Sequence, residues 1–181
     1  MTKVTGIQFR IAGGLLAFLL AWPRAGIGQT IEAARPDWMT VDSARRTVGL
    51  VLHVVAAPGS PSALINGHRS GQLRIVVPLN WTVKWEWHSA DSTAPHSLVV
   101  MAQREKVPLE GGRPAFANAM TRMVSAGLPA GQTDQTTFEA DQTGWYWLLC
   151  GVPSHALNGE RLELKVDAEA RTGSVKEVGG R

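Results

Sequence analysis

The sequence predicts an all-β protein: a single-domain, antiparallel β-sandwich. Three observations predict it. Apolar residues alternate with polar or small ones in several short runs, such as Val48/Leu50/Leu52/Val54, Val83/Trp85/Trp87 and Leu162/Leu164/Val166. Side chains two apart share one face of a strand, so each run describes a strand buried on one side. Turn signals such as Pro58-Gly59-Ser60-Pro61 and Asn66-Gly67 punctuate the runs. Little of the chain carries a helical period, and six or seven short strands with turns between them argue for two packed sheets.

The elements follow in order. Residues 29–45 form a mixed N-terminal segment with Pro36 and a short helix expected from Asp37. From Arg46 the β-rich run through Val55 begins. Leu73, Ile75 and Val77 make the next apolar face, ended by Pro78. In the segment from Trp81 to His88, Val83, Trp85 and Trp87 face one way while Lys84, Glu86 and His88 face the other. Ser97 to Met101 is a further short apolar run. Gln103 to Thr133 is long, rich in Gly, Pro and Ala, and weakly patterned, with one or two helical turns expected within Pro114 to Val124. A loop of that length in a small domain is usually functional or covers something. Thr136 to Ala140 reads as a strand, and Gly144 opens another in which Tyr146, Leu148 and Cys150 share a face. Arg161 to Val166 is the last strand, and residues 168–181, polar and Gly-rich, read as a flexible C-terminal tail. The domain proper is thus expected over residues 46–167.

Residues 1–28 stand apart. Lys3 and Arg10 precede the uncharged apolar run Ile11 to Trp22, and small residues follow at Ala25, Gly26 and Gly28. This is the layout of a secretory signal peptide; left uncleaved, it is an N-terminal anchor, and only then a membrane contact. Export to the periplasm or another extracytoplasmic space follows from either. The chain has 18 basic and 15 acidic residues, and the segment holds Lys3, Arg10 and Arg24 with no acid, so the remainder is balanced. No basic stripe with interleaved aromatics occurs, which argues against a nucleic-acid partner.

Cys150 is the one cysteine, so an exported chain would have no internal disulfide. Its thiol then needs burial or a bound partner. Cys150 ends a strand, and the turn sequence Gly151-Val152-Pro153-Ser154 leads to His155, while His96 lies far upstream between Pro95 and a strand. Two imidazoles and a thiolate with a weak axial partner are the donors of a mononuclear blue-copper centre. The same residues also admit a catalytic Cys–His pair, a buried inert cysteine, or zinc if a carboxylate joined the set.

The block Gly144-Trp145-Tyr146-Trp147-Leu148-Leu149-Cys150-Gly151-Val152-Pro153-Ser154-His155-Ala156 resembles the copper loop of cupredoxins, most closely those of the sulfocyanin-like family. Pro95-His96-Ser97-Leu98-Val99 resembles their first ligand motif. Leu64-Ile65-Asn66-Gly67 and Val76-Val77-Pro78-Leu79-Asn80-Trp81-Thr82-Val83 are similar to their early strands. Pro114-Ala115-Phe116 and Gly127-Leu128-Pro129-Ala130-Gly131 are similar to the loop before the next strand. Rusticyanin is a more distant likeness. The resemblance implies an antiparallel Greek-key β-sandwich, one copper ion held by His96, Cys150 and His155, and one-electron transfer between extracytoplasmic redox partners rather than an enzyme activity. It also implies an apolar rim of Pro153, Ala156 and Leu157 beside His155, where partners dock.

One position departs from the pattern. Where the sulfocyanin-like pattern has an axial methionine, this chain has Glu160. Glu160 shares parity with Leu162, Leu164 and Val166, which aims it inward; a bulge at Gly159 would turn it out. As a ligand it would bring a hard, negative oxygen, lower the reduction potential and couple its protonation to reduction. Met101, Met120 and Met123 are rival axial donors, with packing as their alternative role. Two roles are open to Ser97: tying the two ligand segments together, or an ordinary strand-end serine. His53, His68 and His88 read as surface or strand-end residues, and Trp85, Trp87, Trp145, Tyr146 and Trp147 as core and sheet-face aromatics. Two other functions compete: a small copper redox enzyme with an open or carboxylate-ligated site, and a copper-binding or delivery module. No His-x-His pair and no Met- or His-rich tract supports either.

Overall fold

In the computed structural model, residues 1–2, 35–60 and 62–179 are described, and Ala33–Arg181 forms one compact unit. The segment read as a signal peptide or anchor lies almost wholly outside the described residues. Ten strands occur among the described residues: β1 Met39–Asp42, β2 Thr47–Ala56, β3 Ala63–Ile65, β4 Leu73–Pro78, β5 Thr82–Ser89, β6 Val99–Ala102, β7 Thr133–Glu139, β8 Gly144–Leu149, β9 Arg161–Asp167 and β10 Ser174–Glu177. One sheet runs β1-β2-β5-β7 with β3 paired to β2; the other runs β10-β4-β9-β8-β6.

The alternation read from the sequence builds the core. Val48, Leu50 and Leu52 sit opposite Val83, Trp85 and Trp87 in register, and all six are buried. On the facing sheet Ile75 and Val77 pair with Leu164 and Val166, and Tyr146 and Leu148 pair with Leu164 and Leu162. These inward sets form one continuous apolar cluster between the sheets. Burial of each large aliphatic chain in it is worth about 1.5–3 kcal/mol. Asn66 and Gly67 both adopt positive φ, 48° and 82°, and close a tight turn between Ile65 and His68. That is the conformation a two-residue Asn-Gly turn favours.

The structure differs from the sequence-based expectations in four respects. Two neighbouring pairs, β2 with β5 and β4 with β9, run parallel; the other pairings are antiparallel. The helix expected from Asp37 is strand β1, because Met39 buries in the core while Met39–Asp42 pairs with β2. The helical turns expected in Pro114 to Val124 are bends and turns, and no helix occurs among the described residues. The tail read as flexible supplies β10, antiparallel to β4, with Val175 packed against the core. Edge strands of four residues carry too little pattern to declare themselves without the neighbour they pair with.

Candidate metal centre

The centre sits where three chain segments meet beyond the strand ends. Cys150 follows β8 directly, and its inward parity with Tyr146 and Leu148 buries it completely. Glu160 precedes β9 and keeps the inward parity of Leu162, Leu164 and Val166, so its side chain is 1% exposed. The backbone joins the two positions, since Cys150 N–H donates to Glu160 O at 3.0 Å. Between them the loop doubles back: Glu160 N–H donates to His155 O at 3.0 Å, and Ser154 takes a left-handed conformation with φ 71°. His96 arrives from the other side, held by paired backbone bonds to Leu128 at 3.1 and 2.7 Å.

Four donor atoms converge. One ligand atom from each of His96, Cys150, His155 and Glu160 lies within 4.8 Å of every other. His96 Nδ1 is 2.9 Å from both oxygens of Glu160. His155 Nδ1 is 3.2 Å from Glu160 Oε2 and 3.6 Å from Cys150 Sγ. Gly159 takes a positive φ of 112°, yet Glu160 is not turned outward. The rival methionines are occupied or exposed: Met101 Sδ accepts Gly112 N–H at 3.4 Å, and Met120 and Met123 are solvent-exposed.

Ser97 bridges the ligand segments, the first of the two roles the sequence left open. Its hydroxyl donates to Val124 O at 2.6 Å and accepts Gly151 N–H at 2.9 Å, while its own N–H points at Cys150 Sγ at 3.4 Å. The long loop before β7 covers this junction. Gly111 N–H donates to Gly151 O at 2.8 Å, and Ser154 N–H donates to Leu109 O at 2.7 Å. A Cβ at Gly111 or Gly151 would collide with Val124 Cγ1, so glycine at both positions permits the close approach.

Sequence reasoning missed Asp91. Its Oδ2 lies 3.0 Å from His96 Nε2, and its Oδ1 accepts Thr93 N–H at 2.7 Å and Thr93 Oγ1–H at 2.6 Å. Asp91-Ser92-Thr93 reads locally as a side-chain-stabilised turn, which gave no sign that the second oxygen would meet a histidine.

The electrostatics follow from this crowding. Burial disfavours the charged ring of His96, but the Glu160 carboxylate, with Asp91 behind it, outweighs burial and raises the pKa above the usual 6.5. Burial likewise works against ionised Asp91, yet the Thr93 and His96 hydrogen bonds hold its pKa below the ordinary 3.8. Burial first, and the Glu160 charge second, push the Cys150 thiol well above its usual range. Without a cation, therefore, these neighbours favour a proton on the His96 ring, and burial favours the thiol form of Cys150. A thiol this inert also disfavours the nucleophile alternative.

The donor set fits copper. It offers a soft sulfur, two imidazole nitrogens and a carboxylate oxygen, and a buried carboxylate of this kind calls for a cationic partner. By number alone the four donors would also suit zinc. Two sheets around one core, with a His/Cys/His/Glu cluster at one end, define a single-copper sandwich protein of the cupredoxin class. The sulfocyanin (SoxE) domain profile matches residues 36–173, and the chain belongs to that family. The match begins and ends beyond the expected 46–167, as β1 and the approach to β10 require.

Solved structures similar to this chain include reduced auracyanin from Roseiflexus castenholzii and rusticyanin from Thiobacillus ferrooxidans. The first is 19% identical, covering 65% of this chain and 96% of that one, with a TM-score of 0.45. The second is 21% identical, covering 72% and 88%, with a TM-score of 0.42. No curated protein sequence matches the chain significantly. Proteins of this class generally carry electrons and are typically extracytoplasmic. No helix among the described residues is long and apolar enough to cross a membrane.

Proposed function

We propose that this chain carries single electrons between redox partners outside the cytoplasm, on one copper ion held by His96, Cys150, His155 and Glu160. The observation that carries the reading is the convergence of those four donor atoms within 4.8 Å of one another at the end of a rigid sandwich. Bound copper supplies a one-electron Cu(II)/Cu(I) couple. The residues do the rest. The strand ends of β8 and β9 fix Cys150 and Glu160, and the Leu128 bridge fixes His96, so the donor positions are set before the cation arrives.

His155 provides the way in and out. Its ring is 21% exposed, against 2% for His96. Leu109, Met123 and Leu157 are exposed apolar side chains on the segments that frame the ligand loop. Together with Pro153 they suit a small docking patch for a redox protein, and transient encounters of that kind use limited area; Ala156, expected on the same rim, instead packs with Val99 and Leu149 and is fully buried. The apolar stretch before residue 29 supports export, and retention of it would add a membrane anchor.

The test is reconstitution with Cu(II), which is expected to give an intense thiolate-to-copper visible band and one reversible voltammetric wave. A preparation that stays colourless with its thiol intact would remove copper from the reading. Glu160→Met is expected to raise the potential and abolish its pH dependence; an unchanged potential across pH would take Glu160 out of the ligand set. Spectral shifts on adding small anions would favour the enzyme alternative with an open position.

A further inference from the structure

The copper reading gives roles to four side chains and leaves a buried fifth beside them without one. Asp91 is 4% exposed, and a carboxylate that deep is costly to keep ionised unless something compensates it. Its two oxygens are divided. Oδ1 is saturated by the N–H and hydroxyl of Thr93, which fixes the plane of the carboxylate. Oδ2 is left to His96 Nε2 at 3.0 Å. Glu160, at 2.9 Å, faces Nδ1 on the opposite edge of the same ring. Among the described residues, the polar contact that Asp91 makes beyond its own turn thus runs to His96, the more deeply buried of the two histidines.

We propose, on the basis of that copper reading, that Asp91 is a positioning residue for the centre: its carboxylate holds the Nε2 proton of His96, presents Nδ1 as the donor, and biases the centre toward Cu(II). A histidine that gives one nitrogen to a metal is oriented by whatever accepts the proton on the other, and a carboxylate acceptor makes the ring a stronger donor. The hydrogen bond also selects the tautomer, since Nε2–H facing Oδ2 leaves the Nδ1 lone pair pointed at Cys150, His155 and Glu160. Charge works in the same direction. The Cys150 thiolate and the Glu160 and Asp91 carboxylates place three negative charges around one cation. In a buried site that arrangement stabilises the doubly charged ion more than the singly charged one. A turn-forming role alone would need only Oδ1.

Asp91→Asn separates the two explanations. Its amide oxygen still accepts from Thr93, so the turn survives, while the negative charge behind His96 is gone. In the full chain loaded with copper, Asp91→Asn and Asp91→Ala are both expected to keep the thiolate band. Each is expected to lose about tenfold of the preference for Cu(II) over Cu(I), a rise of about 59 mV in a one-electron potential. In the native Cu(I) protein, nitrogen-correlated NMR is expected to find the His96 ring proton on Nε2 and in slow exchange. That measurement needs no variant and so decides the matter even if both variants misfold. An unchanged potential in coloured Asp91→Asn, or a His96 Nε2 proton that exchanges freely with solvent, would overturn the proposal and leave the copper reading standing. A native protein without the band would overturn both.

Discussion

His96 and His155 hold opposite edges of one centre, and the chain treats them in opposite ways. His96 is locked by backbone bonds to Leu128 and by carboxylates against both ring nitrogens, and it has almost no solvent contact. His155 sits on the loop between β8 and β9, where Ser154 is already in a left-handed conformation, and part of its ring reaches solvent. One edge is built to hold geometry and charge, the other to meet what arrives from outside. On the proposed function, that difference makes one small site both rigid enough for rapid redox change and open enough for a partner to approach.

The largest effect that would break the comparison concerns access. Removing His155 with His155→Gly leaves a gap that opens to solvent, so added imidazole is expected to enter and restore the visible band. Removing His96 with His96→Gly leaves a gap sealed by Leu128, Asp91 and Glu160, and the same imidazole is expected to restore nothing. Titrating imidazole into both copper-loaded variants and reading the band makes the check. Equal rescue at the two positions would show that the sealed edge is not sealed.

The site's carrying residues were legible to different degrees, for physical reasons. Cys150 and His155 declared themselves because a lone thiol and an imidazole flank one turn. Glu160 was legible through parity alone, because the inward set of β9 extends back one step past its first residue. Asp91 was not legible: one of its oxygens forms a local turn, and its contact with His96 depends on how that turn is oriented in three dimensions. The long loop was recognisable as a cover by its length. Yet Leu109, Val124 and Leu128 carry no periodic pattern that would assign them to the ligand loop and to His96. Likewise β2, β5 and β9 followed from alternation, whereas β1 and β10 exist because a neighbouring edge was free to pair.

The next effect sharpens the comparison through pH. In the metal-free protein His96 keeps its proton to a higher pH than an ordinary histidine, and the Cys150 thiol keeps its own higher still. A cation must displace both, so binding releases protons and affinity rises with pH. Above the raised pKa of His96 only the thiol proton is lost, and affinity is expected to climb about tenfold per pH unit. Below it the His96 proton adds to the slope, to about a hundredfold per unit. Competition against a chelator at several pH values gives the slope. A slope that stays near tenfold per unit all the way down to pH 6.5 would mean that the carboxylates do not hold the His96 proton.

A smaller effect tests what joins the two edges. Ser97→Ala leaves the buried Gly151 N–H without its acceptor and frees Val124 O. An unpaired buried group of this kind costs about 1–3 kcal/mol. Denaturant unfolding of the metal-free variant is expected to show a loss in that range. The band of the loaded form is expected to shift in energy as Cys150 Sγ loses a nearby hydroxyl, 3.8 Å away. A stability loss with an unmoved band would confine Ser97 to holding the loop.

The smallest expected effect on stability belongs to the open edge, and its smallness is the point. Leu157 is 51% exposed and two residues from His155. Leu157→Ser removes apolar surface that the folded state has not buried, so stability is expected to change by no more than about 0.5 kcal/mol. The potential and the band are expected to stay where they are, since no donor atom or hydrogen bond of the centre changes. What is expected to fall is the rate of electron exchange between oxidised and reduced molecules, which requires two such edges to meet. The same exchange measured for Val51→Ser, an equally apolar but strand-face substitution on β2 away from the ligand loop, is the control and is expected to stay unchanged. Slowing by both would mean that surface hydrophobicity in general governs the encounter. Slowing by neither would mean that electrons leave by another face, and the division of labour between the two histidines would lose its functional half.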